Sequence, residues 1–62
     1  MDMLDMKQVV EAIKNDEKRM AKINKERGIY RRQKIRGIVV AQCAAMKLKP
    51  TADQVVRMVV MV

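Results

Sequence analysis

Histidine, serine, tryptophan and phenylalanine are all missing from this chain, and each absence removes a class of function. Without His or Ser, no Ser–His or Cys–His pair can activate a nucleophile. A single cysteine, Cys43, rules out an internal disulfide, and one thiol among scattered carboxylates does not make a zinc site. Cys43 reads as a small buried apolar residue. Only two glycines are present, Gly28 and Gly37, so no glycine-rich phosphate loop exists. Asp16 and Glu17 are adjacent and point about 100° apart on a helix, so they form no paired acid/base site. The sequence therefore points away from an enzyme, from a cofactor or metal, and from a small-molecule substrate.

Two further shortages bound the architecture. Tyr30 is the only aromatic residue, so the core must be assembled from Val, Met, Ile and Ala. Aromatic rings supply much of the buried area of small cores, and a 62-residue domain is already marginal. The expected remedy is a homodimer or a partner surface. The seven methionines read as fillers of irregular gaps in such a core. No apolar run approaches the roughly 20 residues of a membrane-spanning helix. The first residues, with Asp2 and Asp5, lack a signal-peptide pattern. A soluble cytoplasmic protein of one domain is expected.

What the chain does have is positive charge, and it is concentrated. The net charge is +7. Between residues 18 and 36 stand Lys18, Arg19, Lys22, Lys25, Arg27, Arg31, Arg32, Lys34 and Arg36, opposed by Glu26 alone. Residues 1–17 are net acidic. Lys18, Lys22 and Lys25 share one quadrant of a helix, and Arg27, Arg31 and Lys34 continue at similar spacing. Clustered cations of this kind neutralise phosphates and release counterions, and arginine forks suit phosphate and guanine edges.

Periodicity predicts an all-α fold of three helices, at about 6–27, 30–48 and 52–62. Asp5 is the expected cap of the first helix, with Gln8 completing a capping box and Leu4 and Val9 forming a hydrophobic staple. Met6, Val9, Val10, Ile13, Met20 and Ile23 make its stripe, interrupted at Asp16 and Glu17. Gly28 either ends that helix or sits within a longer basic rod. The second helix turns Ile35, Ile38, Val39, Cys43 and Met46 to one face. Lys49-Pro50 stops it, and Thr51 with Gln54 gives the third helix a capping box. The β-branched run from Val55 to Val62 is also compatible with a buried strand. As a helix, its Val55, Met58, Val59 and Val62 are candidates for a dimer interface, together with the apolar face of helix 1.

Residues 41–58 resemble the helix-turn-helix motif of DNA-binding repressors and activators. Ala45 stands where that family packs a small residue at the helix crossing, and Leu48 matches the apolar residue before the turn. Thr51 matches the start of the recognition helix, and Val55 and Met58 its two inner anchors. Lys49 replaces the usual turn glycine and Pro50 the apolar residue after it. The resemblance implies a small DNA-binding regulator, of a size common in phages and plasmids. Lys22, Lys25, Arg27, Arg31, Arg32, Lys34 and Arg36 would grip phosphates, while Thr51, Gln54 and Arg57 would meet the bases. Duplex DNA is favoured over single strands, which call for aromatic stacking platforms. The alternative is a protein-binding inhibitor or adaptor, contacting its partner through apolar helix faces while the basic patch steers it to an acidic surface. A role at anionic membrane surfaces lacks the usual Trp or Phe anchors.

Overall fold

All 62 residues are described by the structure, a computed structural model. Four helices form, not three: α1 (Met3–Lys14), α2 (Glu17–Asn24), α3 (Gly28–Ala45) and α4 (Ala52–Met61). The expected first helix is cut in two at Asn15–Asp16. Asn15 closes α1, its N–H turned back to the Glu11 and Ile13 carbonyls. Asp16 adopts an extended backbone, and its carboxylate accepts from the N–H groups of Lys18 and Arg19 at 3.1 and 3.2 Å. Those are donors that the start of a helix leaves free. A residue that sequence marks only as a gap in an apolar stripe is thus the cap of a new helix.

The start of α1 is also corrected. Asp2 is the cap, and Asp5 sits at the third helical position of the capping box. The Asp5 N–H donates to Asp2 Oδ1 at 2.8 Å, and the Asp2 N–H reaches back toward Asp5 Oδ2 at 3.5 Å. Leu4 is exposed, so it does not staple the helix to Val9, which is buried. Gly28 does mark a break. Its φ of +62° is left-handed, and α3 begins there rather than at Tyr30.

At its other end α3 stops at Ala45, three residues before the expected limit. Lys47 takes the left-handed position, φ +59°. The Leu48 N–H donates to the Cys43 carbonyl at 2.8 Å and the Lys47 N–H to that of Ala44 at 3.1 Å. This is a Schellman closure built on lysine where glycine is usual. Residues 55–62 contain no strand, because Thr51 and Gln54 cap each other as expected. Gln54 N–H donates to Thr51 Oγ1 at 3.2 Å, and Thr51 N–H to Gln54 Oε1 at 2.9 Å.

The helices close on one apolar cluster. Met6, Val9, Val10 and Ile13 enter it from α1, Ile23 from α2, Ile35, Val39 and Cys43 from α3, and Val55 and Met58 from α4. α3 and α4 pack as a hairpin, α1 lies against both, and α2 bridges α1 and α3 without touching α4. No buried side-chain polar atom lacks a partner.

Candidate nucleic-acid interface

The cations between residues 18 and 36 divide by what they touch. Arg19 is used inside the fold. Its Nε donates to Asp16 Oδ2 at 2.8 Å, and a terminal nitrogen donates to Gln42 Oε1 at 2.7 Å. Arg19 therefore ties the α2 cap to α3, an assignment its place in the basic run does not reveal. That ion pair is the only one in the protein. The other eight cations of the segment have no carboxylate partner, and all are exposed except the half-buried Arg31.

These eight form more than one surface. Lys18, Lys22 and Lys25 follow one another at four and three residues along α2 and its C-cap, a single exposed stripe. On α3, Arg32 and Arg36 are four residues apart and so project within about 40° of each other. Lys34 lies about 160° from both. It borders a shallow groove with Glu26 and Tyr30 on the opposite flank of α3. The single patch expected from sequence is thus divided between the stripe of α2 and two flanks of α3.

The α2–α3 junction has a further electrostatic feature. Arg27 occupies the N-cap of α3 but supplies no side-chain cap, and the first turn carries no acidic residue. A helix start of this kind presents free N–H groups and the positive end of the helix dipole. Arg27, Arg31 and Arg32 surround it in sequence, adding charge of the same sign.

The expected base-reading residues fare differently. Thr51 and Gln54 spend their side chains on each other. The Gln54 amide nitrogen also donates to the Met1 carbonyl. Arg57 is the one residue of the three left exposed and unpaired. Ala45, which the helix-turn-helix resemblance places at the helix crossing, is exposed, while Cys43 is the small residue buried in α3. Burial pushes the Cys43 thiol above its ordinary pKa.

Of the expected dimer contacts, Val55 and Met58 are buried in the chain's own core. Val59 and Val62 are half-buried. The apolar side chains that α4 presents outward are Val56 and Val60, 61% and 80% exposed. With Ile29 and the arginines of α3 they line an open groove of about 630 Å³.

No family model, curated protein or solved structure matches this chain. No helix is long and apolar enough to cross a membrane.

Proposed function

We propose that this is a non-enzymatic protein that binds duplex nucleic acid through its phosphates, with little base reading. The observation that carries the proposal is the set of eight cations in residues 18–36 that no carboxylate neutralises. Such charges gain little from the fold and much from a polyanion, because each phosphate they meet releases a condensed counterion. The lysine stripe of α2 suits a run of phosphates. The uncapped start of α3, flanked by arginines, suits a phosphate at the junction.

Two features argue for positioning without sequence choice. The side chains of Thr51 and Gln54 are committed to capping, and the outward face of α4 carries Val56 and Val60 beside Arg57. Phosphate contacts orient a protein on a duplex but carry no sequence information. Tyr30 is 68% exposed but stands alone, too little to stack a single strand. Of the helix-turn-helix reading, the free positive charge is what supports duplex binding; the exposed Ala45 and the committed Thr51 and Gln54 do not support the motif's crossing or its base reading.

The test is a comparison of unrelated duplex sequences with the protein and with a Lys22→Ala/Lys25→Ala variant. Wild type should bind all of them within about threefold of each other. The variant should weaken every one alike, and its salt dependence should drop by about two units of slope, near 0.9 per lost contact. A variant that binds as well as wild type, with an unchanged slope, would remove α2 from the interface and the proposal with it.

A further inference from the structure

We infer that the groove between α3 and α4 is a docking site for an amphipathic helix of another protein, one that carries carboxylates beside its apolar stripe. None of the lysines of the α2 stripe lines this groove, although its rim residues Arg31 and Arg32 also flank the start of α3. The inference does not depend on nucleic-acid binding.

The floor is apolar and open. Ile29, Val56 and Val60 are 66%, 61% and 80% exposed, three of the seven large apolar side chains that the fold leaves exposed. They line one groove together, whereas the exposed Met3, Leu4, Tyr30 and Val40 lie outside it. The groove runs from Ile29 to Arg36 on α3 and from Val55 to Val62 on α4. Each wall is therefore about 10 Å long at 1.5 Å per residue. That length accommodates two turns of a helix, with anchors at the first, fourth or fifth, and eighth positions. The protein has no strand whose edge could accept an extended peptide instead.

The rim selects the occupant. Arg31, Arg32 and Arg36 border the apolar floor, and no Asp or Glu side chain lines the groove. A helix with glutamates flanking its apolar stripe would meet these arginines with opposite charge. A second copy of this chain, docked by the same face, would not. A closed twofold dimer sets one patch against itself, which brings one arginine-rimmed groove against another of the same charge. The positive rim thus disfavours the homodimer that the apolar content suggests, and favours an acidic partner.

The experiment uses two synthetic helical peptides of about 16 residues with the same leucine spacing, one flanked by glutamates and one by lysines. Binding to the full chain is followed by calorimetry. The glutamate peptide should bind saturably and the lysine peptide should not. A Val56→Ser/Val60→Ser variant leaves the charge unchanged and alters only exposed positions. It should lose at least ~10-fold in affinity for the peptide, as expected for anchors of such a contact, with unchanged circular dichroism and duplex binding. An Arg32→Gln/Arg36→Gln variant should lose peptide affinity too. The Lys22→Ala/Lys25→Ala variant should keep it.

Several results would overturn the inference. One is equal binding of the two peptides, or binding of neither. Another is an equal loss of peptide affinity in the α2 lysine variant, which would mean bulk electrostatic attraction. Loss of duplex binding in the valine variant would place the groove in the nucleic-acid surface. A wild-type dimer in sedimentation that becomes monomeric on valine replacement would make the occupant a second copy.

Discussion

Gly28 and Lys47 hold nearly the same left-handed φ, +62° and +59°, yet only one of them is glycine. A side chain with a Cβ pays about 1 kcal/mol or more for that conformation. Lys47→Gly should therefore raise stability by about 1 kcal/mol, roughly 4–8 °C in thermal midpoint for a domain of this size. Gly28→Ala should lower it by a similar amount. A Cβ at Gly28 meets nothing within 4 Å, so the cost there is backbone alone. Thermal melts of the two variants should move in opposite directions, and a shared direction would contradict the backbone account. Cys43 provides a second residue-level test. It is 1% exposed, and burial raises its pKa, so little thiolate forms at mildly alkaline pH. The thiol should react with a disulfide reagent only on unfolding; rapid native labelling would contradict its place in the core. Because the folded thiol holds its proton more tightly, its stabilising contribution is present below the ordinary thiol pKa. It is lost as pH rises through the raised value.

The break between α1 and α2 turns on Asp16. Its carboxyl is held below the usual carboxylate range, first by the Arg19 backbone N–H and then by the Arg19 guanidinium. A depressed carboxylate stabilises the fold above the ordinary value, and the contribution disappears as pH falls through the lowered one. Asp16→Asn keeps a capping oxygen but cannot titrate, so its melts should lose part of the acid-limb slope seen in wild type. Asp16→Ala should lower the thermal midpoint already at neutral pH. Equal acid limbs in wild type and the asparagine variant would remove Asp16 from the pH response. The same residue shows where sequence reading stopped. Ile13, Met20 and Ile23 keep helical spacing across the break because α1 and α2 both face the one core, so periodicity alone joins them. The Thr51–Gln54 box was legible because Pro50 forces a boundary just before it. That box then withdrew the two residues expected to read bases, a cost the motif does not display. Exposure of the cations was also legible, but Arg19's partner Gln42 lies 23 residues away and no local pattern announces it.

As a whole, the molecule draws the ten residues of its core from all four helices of one chain. Its radius of gyration, 10.7 Å, matches the roughly 10.6 Å expected of a single compact domain of 62 residues. Ile, Val and Met side chains from four helices do what aromatic residues would do elsewhere. The expectation of a dimer came from a shortage of large side chains in the sequence. The fold meets that shortage by burying Val55 and Met58 within the chain, and it leaves Val56 and Val60 outside. What remains unbalanced is charge. The acidic N-terminal residues are not used to neutralise the cations of residues 18–36, apart from Asp16 with Arg19. The most direct measurement is the affinity of the wild-type protein for a short DNA duplex across a salt series. With about five or more of the eight free cations on phosphates, the plot of log affinity against log salt should be linear with a slope of about −4.5 or steeper. A flat plot, or no binding at low salt, would contradict the account.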